Sequence, residues 1–125
     1  MNKFFLFFLP FLLLAVPIRF PYTVKLKKDE LFKMDVYYLN RVYPFEMRRT
    51  LFINDVITVL YKYDNFPRQV ELQKKFSQDA FKVPVALIPE NYPYFYIKFD
   101  DFNGKIATFT IYLFNGKKVR ANLKE

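Results

Sequence analysis

The sequence contains no cysteine and no histidine. Without cysteine there are no disulfides, no iron–sulfur ligation and no thiol chemistry. Without histidine, the usual general base near neutral pH and the commonest metal ligand are both missing. That excludes serine–histidine triads and histidine–zinc sites. The chain has one serine, Ser77, and its neighbours Phe76 and Gln78 are not the glycines of a nucleophile elbow. Only two glycines are present, Gly104 and Gly116, each following an asparagine in a turn-like tetrapeptide, so none remains for a phosphate-cradling loop. Asp100 and Asp101 are the only adjacent aspartates. On a strand they point to opposite faces and cannot share a proton or an ion. The residues therefore predict a protein that is not an enzyme, with no cofactor and no metal.

What is present is aromatic, apolar and basic. Of 125 residues 17 are Phe and 10 are Tyr, and the apolar share of 53% is far above that of disordered chains. Broad aromatic side chains favour strands, where they pack on a pleated, half-buried surface. The net charge of +8 points to anionic partners rather than to any fold.

The start of the chain differs from the rest. After Lys3 an apolar run extends from Phe4 to Ile18. It is shorter than the roughly 20 residues a membrane-spanning helix needs, and its cationic start fits the apolar region of a secretory signal peptide. Leu13 to Pro17 offers no clean small-x-small cleavage site. Residues 1–20 are thus expected to be a signal peptide or an N-terminal membrane anchor, and residues 21–125 a single small β-rich domain. The expected location is the periplasm, cell surface or exterior.

From Tyr22 the period becomes two. Tyr22, Val24 and Leu26, then Phe32, Met34, Val36 and Tyr38, predict a first hairpin about the polar turn Lys28-Asp29-Glu30. Asn40 to Pro44 reads as a break. The β-branched cluster Ile53, Val56, Ile57, Thr58 and Val59 predicts a strand over 51–62, with a helix over 45–54 as the alternative. Residues 64–67 read as a loop, and the polar stretch 68–78 as one short helix after Pro67. Val83 to Ile88 holds Pro84 and reads as an edge strand.

Phe102-Asn103-Gly104-Lys105 and Phe114-Asn115-Gly116-Lys117 are the strongest local signal, because Asn-Gly between alternating strands marks hairpins. Three-residue loops pair Phe99 with Ala107 and Ile97 with Phe109, then Ile111 with Val119 and Phe109 with Ala121. Both keep one face apolar and predict an antiparallel meander over about 94–124. The tetrapeptide pair is similar to the turns of MORN-like β-meander repeats. The further glycines of such repeats are absent, so the resemblance implies no function. Overall the expected fold is mainly β: an antiparallel sandwich or curved meander sheet of six to eight strands, with α+β as the alternative.

The polar face of the meander supplies the candidate site: Tyr94, Tyr96, Lys98, Thr110, Tyr112, Lys118, Arg120 and Lys124. Tyrosine offers stacking surface, while lysine and arginine meet carboxylates or phosphates. The expected role is an exported, non-catalytic structural or protein-interaction domain of the cell envelope, with another envelope protein or a second copy as partner. The alternative is a binding module for an anionic polymer, glycan or membrane surface. Export makes nucleic acid an unsuitable partner.

Overall fold

The apolar–polar alternation is realised as strands along nearly the whole chain. A computed structural model describes residues 16–86 and 91–124. The strands are β1 (Val16–Pro17), β2 (Tyr22–Leu26), β3 (Phe32–Tyr38), β4 (Arg41–Ile53), β5 (Val56–Tyr63), β6 (Phe66–Gln73), β7 (Ala80–Pro84), β8 (Tyr94–Phe102), β9 (Ala107–Phe114) and β10 (Arg120–Leu123), with one short 3₁₀ turn at Lys75–Ser77. They form two antiparallel sheets, ordered β1-β10-β3-β4-β5-β6 and β2-β9-β8-β7. The protein is thus the mainly β sandwich that the sequence predicts, with ten strands among the described residues rather than six to eight. Among those residues no helix is long and apolar enough to cross a membrane.

Alternation also builds the core. Met34, Phe45, Met47, Ile57, Val59 and Leu72 of the larger sheet face Val83, Phe95, Ile97, Phe109 and Ile111 of the smaller. Aromatic contacts join the layers: Tyr61 stacks on Phe81 at 4.8 Å, and Phe52 meets Phe99 at 6.3 Å. Burying one such side chain contributes about 1.5–3 kcal/mol. Among the described residues the one buried charged group is Arg49, 5% exposed. It donates to the carbonyls of Leu26 (3.5 Å), Thr50 (3.1 Å) and Lys105 (2.7 Å), and its guanidinium lies 5.1 Å from the Phe102 ring centre.

Several expectations need correction. β2 and β3 do not form a hairpin: β2 pairs with β9, and β3 with β4 and β10, on opposite sides of the core. The polar stretch Lys27–Glu30 crosses between sheets instead of turning within one. The strand expected at 51–62 is two strands, split by a tight turn at Asn54-Asp55, and no helix forms over 45–54. Asn40 to Pro44 is no break. Leu39 and Asn40 both take positive φ, as a two-residue hairpin turn requires, and β4 starts at once. Pro44 is tolerated because its carbonyl accepts from Asp64 N–H in the β5–β6 turn, so its nitrogen faces the end of β5 and not the ladder with β3. Residues 66–73 are edge strand β6, not helix, and helical geometry is confined to Lys75–Ser77.

The meander is corrected twice. β8 and β9 are antiparallel neighbours as predicted, but Phe99 stands opposite Phe109 and Ile97 opposite Ile111, a slip of two residues that keeps the side chains up to Phe99 on their predicted faces, while beyond it Phe102 turns to the core. A bulge between Phe99 and Asp101 and a longer loop absorb the difference. β10 does not join β9. After Phe114 the chain crosses the sandwich and pairs with β3 and β1. Gly116 sits in this crossover, where a methyl group would lie 2.3 Å from the Leu113 side chain.

At the N-terminal side the fold takes in five residues before Pro21. Val16 pairs with Leu123, Ile18 N–H donates to Ala121 at 2.8 Å, Ile18 is buried, and Phe20 lies 5.4 Å from Phe95. The rest of the expected signal or anchor segment, residues 1–15, lies outside the described residues, as does Leu87–Glu90.

Candidate functional site

The outer face of the four-stranded sheet carries an aromatic ladder. Inward positions on β8 and β9 belong to the core, so Tyr94, Tyr96, Lys98 and Asp100 point outward from β8, and Thr108, Thr110, Tyr112 and Phe114 from β9. Tyr96 stands opposite Tyr112 and Tyr94 opposite Phe114. Ring centres are 5.3 Å apart for Tyr94–Phe114, 6.2 Å for Tyr96–Tyr112 and for Tyr96–Phe114, and 5.7 Å for Tyr92–Tyr94. The Lys82 ammonium, reaching from β7, sits 4.9 Å from the Tyr94 ring centre. Lys98 lies beside Thr110, and Thr110 donates a hydrogen bond to the Asp100 carboxylate. The result is a continuous row of rings flanked by lysines, with one acid at its lower margin.

Of the residues singled out in the sequence, Tyr94, Tyr96, Lys98, Thr110 and Tyr112 lie together on this face. Lys118, Arg120 and Lys124 do not, because the crossover carries them to the six-stranded sheet. Lys118 and Arg120 line a groove there with Tyr37, Leu39 and Arg41. Lys124 lies 3.9 Å from the Asp35 carboxylate, farther down the sheet. Sequence reasoning missed Tyr92, Phe114 and Lys82. Phe114 is in phase with Tyr112 and could have been read, but nothing local announces that β7 sits beside β8.

A second feature is concave. The inner faces of β5 and β6 diverge from β7 near their upper ends and leave a cleft of about 420 Å³. Tyr43, Tyr61 and Tyr63 line it, with Arg41, Asp64, Phe66, Arg68, Lys82 and the backbone from Val83 to Ala86. Tyr43 and Tyr63 stack at 5.6 Å, and the Arg41 guanidinium lies over Tyr43 at 4.8 Å while pairing with Asp64 at 3.0 Å. The Tyr63 hydroxyl donates to the Val85 carbonyl at 2.7 Å. Burial raises the pKa of Tyr63, helped by Tyr43 and Asp64 and opposed by Arg41. Burial also raises that of Tyr61, against the pull of Arg68. Both hydroxyls therefore stay protonated at neutral pH.

Charge is unevenly spread between the two ends of the sandwich. The lower end mixes Lys27, Lys28, Lys74, Lys75 and Lys105 with Asp29, Glu30, Asp55, Asp79 and Asp101. The upper end holds Arg19, Arg41, Lys117, Lys118 and Arg120 against Asp64 alone among the described residues. Exposed Leu39, Val42, Phe66 and Phe114 stand among these upper cations. The upper half of the molecule is thus both aromatic and basic, and it contains the ladder and the cleft. No group of acids that could hold a metal ion occurs among the described residues.

No protein-family model, no curated protein and no solved structure matches this chain.

Proposed function

We propose that this protein is an exported, non-catalytic binding module that holds an anionic polymer or glycan along the outer face of its four-stranded sheet. The observation that carries the reading is the continuous ladder of Tyr92, Tyr94, Tyr96, Tyr112 and Phe114, capped by Lys82 over Tyr94. Such a row has the properties that an extended sugar or polymer chain needs. Aromatic faces stack on successive units without demanding a particular sequence, and flanking cations meet acidic substituents. The basic upper end supports the same reading, since like-signed charge raises the local concentration of an anionic partner.

The test is a titration of the protein with polygalacturonate at low and at raised salt. Binding is expected to saturate and to weaken as salt shortens the screening length from about 14 Å to about 6 Å. Tyr96→Ala and Tyr112→Ala should each weaken it about tenfold, the scale of one lost stacking contact. Failure to bind, or binding indifferent to both substitutions, would overturn the proposal. A hydrophobic protein interface on the same face is the competing reading, and it predicts binding that resists salt. A Lys118/Arg120/Lys124 triple alanine variant serves as the control. Loss of binding there, with both tyrosine variants intact, would move the site to the other sheet.

A further inference from the structure

We propose that the cleft between β6 and β7 is a separate binding site for a single carboxylated sugar ring, held by Arg68 and Lys82 among the tyrosines Tyr43, Tyr61 and Tyr63. The size is right: about 420 Å³ lies within the range of small-molecule sites. The lining has the composition such sites share, aromatic and aliphatic residues with a few charged groups. Its charges are not all alike. Asp64 is committed to Arg41 and so cancels that cation. Arg68 and Lys82 have no acid partner among the described residues. A cleft holding a guanidinium suited to bidentate contact with a carboxylate, with Lys82 at its rim, favours an anion.

The walls argue for a ring attached to that anion. Tyr61 is braced from behind by Phe81, and Tyr63 by both Tyr43 and its bond to Val85. These side chains are held in place before any ligand arrives, so little ordering cost attends binding. The Tyr61 hydroxyl remains a donor across the physiological range, and that of Tyr63, its proton given to Val85, can accept, which suits a ligand rich in hydroxyls. The choice of a sugar acid over other ring acids rests on reading the adjacent sheet face as a glycan surface. Lys82 touches both features, lying over Tyr94 and lining the cleft, so an acidic end unit here would continue a chain laid on the ladder.

The experiment is an amide and side-chain NMR titration of the full chain with sodium D-glucuronate, D-glucose and inorganic phosphate at matched ionic strength. Glucuronate is expected to give saturable shifts at Arg68, Lys82 and Tyr61 to Tyr63. Glucose and phosphate should bind at least about tenfold more weakly. Arg68→Gln should lower glucuronate affinity about tenfold while the rest of the spectrum stays in place, because Arg68 is exposed on an edge strand. Tyr112→Ala, on the ladder, should leave glucuronate affinity unchanged. Absence of saturation, phosphate binding as tightly as glucuronate, or an unaffected Arg68→Gln variant would each overturn the proposal. Glucuronate binding in the cleft together with no polygalacturonate binding on the ladder would sustain this site and sink the polymer reading.

Discussion

Arg49 is the residue on which the lower end of the sandwich turns. Its head group is surrounded by three carbonyls from β2's end, its own strand and the β8–β9 loop. Among the described residues no carboxylate balances it, and the cost of burying the charge is met by hydrogen bonds and by the Phe102 ring. Truncation to alanine leaves those carbonyls without a charged donor and opens a space beside Phe102. Arg49→Ala is expected to lower stability by about 2–4 kcal/mol, read as a fall in the urea midpoint at constant slope. Tyrosine burial at the other end gives a pH effect. Tyr61 and Tyr63 have folded pKa values above the ordinary 10.0. Their unfolded forms therefore lose protons first as pH rises past about 10, and stability must fall from there upward while being complete below it. Tyr63→Phe should flatten that alkaline decline, and it should cost about 1 kcal/mol at neutral pH because the Val85 carbonyl loses its donor. An alkaline decline of unchanged steepness in the variant would show that Tyr63 is not its source.

At the scale of elements, three hairpins turn on two-residue loops with positive φ at both positions and no glycine: Leu39-Asn40, Asn54-Asp55 and Asp64-Asn65. Asparagine and aspartate tolerate this conformation, whereas leucine gains nothing from it. Leu39 also stands 63% exposed. Leu39→Asn is expected to raise stability by up to about 1 kcal/mol, measured by denaturant unfolding. A loss of stability would mean that Leu39 makes packing contacts its exposure conceals. The same turns explain what was legible. Alternation in β2, β3 and β9, and in β8 as far as Phe99, placed each side chain on its correct face, and the Tyr94–Tyr112 half of the site followed from that. Faces do not name partners. Nothing in the pattern of Val119, Ala121 and Leu123 distinguishes pairing with β9 from crossing to β3, since both bury the same face. That ambiguity carried Lys118, Arg120 and Lys124 away from the ladder. β6 was unreadable for a different reason. As an edge strand it sends only Val70 and Leu72 toward the core, so its polar majority hides the period of two. The cleft needs residues from β4 to β7 at once, and no local window contains them.

The whole molecule is an aromatic sandwich whose far edges are held by little. β1 is two residues long, yet the segment from Val16 to Phe20 closes the gap between the sheets beside β10 and β2. Ile18 is buried with the core, and Phe20 packs on Phe95. Removing these contacts forfeits about 3–6 kcal/mol of apolar burial, against a total stability for such a domain of about 5–15 kcal/mol. The domain therefore needs residues earlier than Pro21. A chain covering residues 16–125 is expected to keep the unfolding midpoint of the full chain in urea, while one covering 21–125 should unfold at a much lower denaturant concentration. Equal midpoints would show that β1 and its continuation contribute nothing. The consequence for processing follows directly. If the apolar segment is removed on export, cleavage compatible with a stable sandwich must fall before Val16, and the intact mass of the exported protein should show fifteen or fewer residues lost.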